Sequence, residues 1–182
     1  MSETELRPDV ITYSAAVSAC EKGGQWEQAL HILSESLEVK SSPNTLLYSA
    51  GISACEKGGR WQPALGLLDE LLQAKLEADV VTYNAAISAC EKGRQWQRAL
   101  LLFEELREAR LEASLISYSA GISACEKCGR WRLALLLLGE LWEERLTPNT
   151  ISLARYPGAD PSLLGSSMFA SAARGQVESC SD

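Results

Sequence analysis

The sequence predicts an all-α protein: a right-handed α-solenoid of four 35-residue helix-turn-helix repeats plus a partial fifth. The period is read directly from aligned residues. Tyr13, Tyr48, Tyr83 and Tyr118 stand 35 residues apart, and Cys20, Cys55, Cys90 and Cys125 each follow a Tyr by seven. Glu21, Glu56, Glu91 and Glu126, then Lys22, Lys57, Lys92 and Lys127, keep the interval, as do Trp26, Trp61, Trp96 and Trp131. Copies repeated without insertion or deletion imply stacked supersecondary units, not one globular core. Function then lies along a repeated surface, which argues against a single catalytic pocket.

The boundaries follow from the period. Residues 1–9 are a lead-in, 10–44, 45–79, 80–114 and 115–149 are the repeats, and 150–182 hold a degenerate fifth repeat and a disordered tail. Within a repeat, Tyr13, Ala16, Val17 and Cys20 follow the i, i+3, i+4, i+7 spacing of one helix face. Trp26, Ala29, Leu30, Leu33 and Leu37 form a second such stripe. Between them lie Gly23-Gly24, and in later repeats Gly58-Gly59, Gly93 and Gly129, which suit a left-handed helix C-cap. Pro63 falls in the first turn of a second helix, where a missing N–H costs little.

Asp9, Asn44, Asp79, Ser114 and Asn149 recur just before each first helix, and all belong to the residue types that cap helix N-termini. Ala29, Ala64, Ala99 and Ala134 are small where adjacent helices must approach closely. Stacking these pairs places the first helices on the concave side. The fifth unit opens at Asn149 and breaks down at Leu153 and Tyr156-Pro157-Gly158. An uncapped last repeat exposes apolar surface, so self-association through it is expected.

Composition sets further bounds. The apolar fraction of 46% is ordinary for a folded domain, and no apolar run is long enough to span a bilayer. The start, MSETELRPD, leaves no room for a signal peptide and is the wrong composition for an Arg-rich transit peptide. The chain therefore reads as cytosolic or as a fragment of a longer one. The net charge of −7 is unfavourable for nucleic acid, but segments 10–22, 45–57, 80–92 and 115–127 are each neutral. Four of the six cysteines share one repeat position on an apolar stripe, so they read as small buried hydrophobes. Cys125 and Cys128, in CEKCGRW, make the one CxxC, and half a site is a weak zinc signal. His31 has no partner at catalytic spacing, so no catalytic residue, metal site or cofactor is expected.

A 35-residue helix pair opening DVITYSAAVSACEKGGQWEQAL resembles the pentatricopeptide repeat family. The third unit, DVVTYNAAISACEKGRQWQRALLLFEELREARLEA, is nearest the family pattern, and the likeness covers about 140 of the 182 residues. Tetratricopeptide repeats have a shorter period and place their aromatic and small residues differently.

The resemblance implies single-stranded RNA as the partner, one base per repeat on the concave face. It also implies that the residue after each Tyr and the residue just ahead of the next repeat form a reading pair. These pairs are Ser14 with Asn44, Ser49 with Asp79, Asn84 with Ser114, and Ser119 with Asn149. The family's pattern then suggests adenine, guanine, a pyrimidine and adenine. Ile11, Leu46, Val81 and Ile116 resemble residues that sandwich bases, and Lys22, Lys57, Lys92 and Lys127 resemble phosphate-contacting lysines. The setting implied is a mitochondrion or plastid, in RNA processing, stability, editing or translation.

Simpler roles accompany these. Asn44, Asp79 and Ser114 serve as caps with or without RNA, and the lysines suit helix C-termini on charge alone. The Tyr series is expected to pack between helices and the Trp series between repeats. The alternative function is a protein-interaction solenoid whose groove holds a peptide or protein partner.

Overall fold

A computed structural model of the chain describes residues 10–38 and 44–143. The described residues form eight α-helices and no strand, in the order α1 Val10–Lys22, α2 Trp26–Glu38, α3 Thr45–Lys57, α4 Trp61–Gln73, α5 Val80–Lys92, α6 Trp96–Glu108, α7 Leu115–Lys127 and α8 Trp131–Glu143. Each helix pairs with its successor, and α1, α3, α5 and α7 also pack successively on one another. The second helices α2, α4 and α6 reach forward onto the next first helix. The array is therefore a helical-repeat solenoid, most continuously packed along its row of first helices. The expected fifth repeat and tail, with Asp9 and Asn149, lie outside the described residues.

The first helices start where side chains satisfy their orphan N–H groups. Asn44 accepts from the Leu46 backbone N–H at 3.0 Å, Asp79 from that of Thr82 at 2.8 Å, and Ser114 from that of Ser117 at 3.3 Å. At α7, Ser117 Oγ accepts in return from the Ser114 backbone N–H at 3.0 Å, which closes a capping box.

The turn after each first helix separates two tasks that the sequence pattern groups under Gly. Arg60 N donates to Cys55 O at 2.8 Å and Gly59 N to Glu56 O at 3.0 Å, a Schellman closure in which Gly59 takes φ 66°. Gly24 and Gly129 hold the equivalent left-handed position, at φ 67° and 70°. In the third repeat this residue is Arg94, at φ 56°, while Gly93 stays right-handed. The expectation that Gly93 supplies the left-handed cap is thus corrected, because the six-residue closure places that conformation one residue later.

The preceding glycine serves packing. A Cβ on Gly58 would meet Trp26 Cδ1 at 2.5 Å, and one on Gly93 would collide with Trp61, so each Trp lies against the next repeat's turn. An arginine of the next repeat also lies over the ring: Arg60 is 4.7 Å from the Trp26 ring and Arg130 is 4.9 Å from that of Trp96. These contacts make the Trp series an inter-repeat bolt. Trp131, without a following described repeat, is 53% exposed.

The remaining core is the repeated stripe. Tyr13, Tyr48, Tyr83 and Tyr118 are buried, as are Ala29, Ala64, Ala99 and Ala134 and the cysteines Cys55, Cys90 and Cys125. Cys20, in the first described repeat, is only partly buried. Phe103 and Tyr118 meet edge-on with centroids 4.8 Å apart, joining the third repeat to the fourth.

Candidate nucleic-acid interface

The candidate site is built from the N-terminal turns of α1, α3, α5 and α7. One residue of each turn points an apolar side chain into solvent: Ile11 is 77% exposed, Leu46 61%, Val81 62% and Ile116 64%. A scattered exposed Leu or Ile needs no explanation, but the same position exposed in all four units is a designed ladder. Its members lie two residues before the buried tyrosines, so the Tyr anchors that fix each helix also fix the pitch of the ladder.

The polar pairs lie beside it, and their engagement differs. Asn84 and Ser114 are brought together across the repeat boundary, with Asn84 Nδ2 donating to Ser114 Oγ at 3.2 Å. Asn84 Oδ1 also accepts from Ser117 Oγ at 2.6 Å. Asp79 Oδ1 accepts from both the backbone N–H and the hydroxyl of Thr82, the latter at 2.6 Å. Asn44 uses its Oδ1 on Leu46. Ser14 is only 6% exposed, and its Oγ has no hydrogen-bond partner among the described residues. Ser49 and Ser119 are half-buried, and Asn149 lies outside the described residues. Among the described residues the Asn84–Ser114 pair alone shares a direct hydrogen bond.

Thr82 and Ser117 are participants that the sequence reading passed over. Each precedes a Tyr and follows its cap by three residues, which is the partner slot of a capping box. A hydroxyl there was a legible signal.

The lysines occupy a different edge, at the C-terminal ends of the first helices. Lys57 Nζ bonds Glu21 Oε1 at 2.9 Å, Lys92 bonds Glu56, and Lys127 bonds Glu91 at 2.8 Å. Each cation is thus paired with the carboxylate of the preceding repeat. Lys22 is exposed. The lysine side chains keep about two-fifths of their surface in water (42%, 40% and 41%), so a solvent-borne anion can approach them. The second helices carry their own cross-repeat pair, Arg107 to Glu140 at 3.0 Å.

Cys55, Cys90 and Cys125 are poorly placed to act as nucleophiles. Burial pushes the thiols of Cys55 and Cys90 up to about 11 and that of Cys125 up to about 12, so they are protonated at neutral pH. Cys128 turns its Sγ to the Arg94 carbonyl at 3.2 Å. No group of three or more His, Cys, Asp or Glu gathers as a metal site among the described residues. No described helix is long and apolar enough to cross a membrane.

Comparison with known proteins follows the same lines. A family model described as "Pentatricopeptide repeat domain" matches residues 1–58 and 66–128, and one described as "PPR repeat" matches 116–146. Among curated proteins none matches by sequence. Among solved structures, the pentatricopeptide repeat protein PPR10 in complex with an 18-nt psaJ RNA element aligns at a TM-score of 0.69 and 18% identity, over 83% of this chain and 22% of that one. The same protein from maize, in a separate structure, aligns at 0.71 and 18% identity, over 82% of this chain and 21% of that one. The PPR domain of Arabidopsis thaliana protein-only RNase P 1, in complex with tRNA, aligns at 0.73 and 10% identity, over 83% of this chain and 80% of that one. The chain therefore spans about a fifth of the length of PPR10. At these identities the alignments establish the fold alone, whereas the family model covers well over half of the chain. With its repeated Tyr, Trp and Lys–Glu positions, this chain belongs to the pentatricopeptide repeat family.

Proposed function

We propose that the protein binds single-stranded RNA along its row of first helices, with one base held at each repeat. The ladder of exposed Ile11, Leu46, Val81 and Ile116 carries this reading. Its pitch gives one apolar flank per repeat, which suits the face of an unstacked base. Asn84 beside Ser114 supports the pairing of the residue after each Tyr with the residue ahead of the next repeat. The RNA complexes of PPR10 and of the RNase P 1 domain lend it weight by analogy.

On this reading, Ser14 with Asn44, Ser49 with Asp79, Asn84 with Ser114, and Ser119 with Asn149 select adenine, guanine, a pyrimidine and adenine. The Asp79 carboxylate keeps a second oxygen to accept from the N–H donors of guanine, since only Oδ1 serves the cap. Lys22, Lys57, Lys92 and Lys127 face the phosphates. The activity is binding rather than catalysis, in mitochondrial or plastid RNA processing, stability, editing or translation.

Fluorescence anisotropy with RNAs containing AGCA or AGUA, against scrambled and DNA versions at two salt concentrations, tests it. Each base contact contributes about 1–3 kcal/mol before ordering costs, so four repeats bind modestly and lose affinity with salt. Replacing Asp79 by Asn moves the preference at the second base away from guanine. Equal binding of all sequences would remove the code and keep the scaffold. No RNA binding at high protein concentration would favour the peptide-holding groove.

A further inference from the structure

Among the described residues, three that are not glycine hold a left-handed backbone: Lys75, Arg94 and Arg110. All three are cationic and exposed. Lys75 and Arg110 follow second helices, at the end of the repeat remote from the lysine edge. Arg94 stands on that edge, two residues beyond Lys92 in the turn after α5. Gly24, Gly59 and Gly129 take its place in the other repeats and adopt the same conformation with no side chain to strain it. A strained conformation kept where glycine would serve points to a use for the side chain.

Two ordinary uses are already filled by other residues. A cation at a helix C-terminus offsets the macrodipole, but Lys92 supplies one in the last turn of α5. An arginine can cover a tryptophan of the preceding repeat, but Arg98 lies over Trp61, 5.6 Å from the ring centroid. Arg94 itself makes neither an ion pair nor a ring contact among the described residues. Its neighbours do, since Lys92 bonds Glu56 and Glu91 bonds Lys127. Those four charges balance, and Arg94 adds one uncompensated positive charge beside them.

The next repeat holds the strained backbone in place. Cys128 Sγ donates to the Arg94 carbonyl at 3.2 Å. Cys128 is itself a departure, standing where Gly23, Gly58 and Gly93 stand in the other repeats. Two replaced glycines thus meet at one junction, with the Arg94 backbone pinned and the residue exposed.

We propose that Arg94 binds a phosphate of the RNA and gives the third repeat a second cation for the sugar-phosphate chain. The proposal rests on the reading that single-stranded RNA lies along the row of first helices. Unlike Lys57, Lys92 and Lys127, Arg94 has no carboxylate to displace. Its planar fork also matches two oxygens of one phosphate. Phosphates carry no sequence, so Arg94 adds affinity without changing which bases are read.

The test reads stability and affinity in the same variants of the full chain, with AGCA and a scrambled RNA as probes. R94G relieves the strain and removes the charge. It is expected to be at least as stable as wild type in urea and yet to bind both RNAs severalfold more weakly. Its slope of log K against log salt falls by about 0.7, so a fourfold rise in salt narrows its gap to wild type by about threefold. R94Q keeps the strained side chain without the charge and should bind as R94G does, whereas R94K keeps the wild-type slope. Circular dichroism checks that each variant is helical. Unchanged affinity and slope in R94G and R94Q, with wild type binding RNA, would overturn the proposal while RNA binding stood. A loss confined to one of the two RNAs would overturn it as well, because Arg94 would then be reading a base. A wild type that binds neither RNA removes the premise and this inference together.

Discussion

Lys57 Nζ of the second repeat lies 2.9 Å from Glu21 Oε1 of the first, and the contact recurs at Lys92–Glu56 and Lys127–Glu91. The proposed phosphate contacts are therefore pre-engaged, and an RNA phosphate must displace a carboxylate to reach each lysine. Exposed pairs of this kind are worth about 0.2–1 kcal/mol. Replacing Glu21, Glu56 or Glu91 by Gln removes that competitor, so each variant should bind RNA up to about fivefold more tightly at low salt. Replacing Lys57, Lys92 or Lys127 by Ala should weaken all RNA sequences alike and lower the slope of log K against log salt by about 0.7 per lysine. Affinity unchanged by either set would mean that this edge of the first helices does not meet the phosphate chain.

Arg94 should be open to improvement for stability. It holds the left-handed cap at φ 56° where Gly24, Gly59 and Gly129 do so in the other repeats. A side chain in that region costs about 1–2 kcal/mol, partly offset by the greater chain entropy that Gly loses on folding. R94G should therefore stabilise the array by up to about 1 kcal/mol, read as a higher midpoint in urea. G59R should lose a similar amount. Its carbonyl bond to Cys128 involves the backbone and survives the substitution.

The features legible in the sequence were those set locally. Helix periodicity, the caps Asn44, Asp79 and Ser114, and Pro63 in the first turn of α4 depend on neighbours within a few residues, and the structure places them as read. The Lys–Glu pairs escaped because their members are 36 residues apart and meet only when repeats stack at one particular rotation. Arg94 escaped because the αL position is set by the closure of the turn, which overrides the preference for Gly. Ser117 escaped for both reasons: its cap bond is local, but its bond to Asn84 crosses a repeat boundary.

Gly58 should be intolerant of a side chain, for the ring of Trp26 occupies the space that a Cβ would need. The fourth repeat indicates how the array responds. There Cys128 stands at the equivalent position, and its N–H bonds Cys125 O at 3.3 Å, whereas Gly58 N bonds Ala54 O at 3.0 Å. The last turn there closes with an i−3 bond in place of an i−4 bond. G58A should accordingly lose about 1–3 kcal/mol through strain between the first two repeats, and C128G should gain stability. Chemical denaturation of both variants measures this, and equal midpoints for G58A and wild type would mean that the Trp bolt is slack.

Stability should fall in alkali before the buried thiols of Cys55, Cys90 and Cys125 ionise in the folded protein. In the folded chain Cys55 and Cys90 are pushed up to about 11 and Cys125 up to about 12, each chiefly by burial, from an ordinary thiol value of 9.0. The buried phenols of Tyr48 and Tyr83 are raised as well, by burial first and then by Glu70 and Glu105 respectively. Below the ordinary value, folded and unfolded chains both hold these protons, and the stabilisation is fully present. As pH climbs past it, the unfolded chain releases protons that the folded chain retains, so unfolding gains free energy with each increment. The loss is complete only once the folded thiols themselves titrate. The urea midpoint should be flat from pH 7 to about 8.5 and should decline steadily towards pH 11. The C55A/C90A/C125A variant should start lower, because it leaves small cavities, and should decline less steeply. Identical slopes for the variant and wild type would place the alkaline sensitivity in the tyrosines, and a flat profile in both would mean that neither set is buried as described.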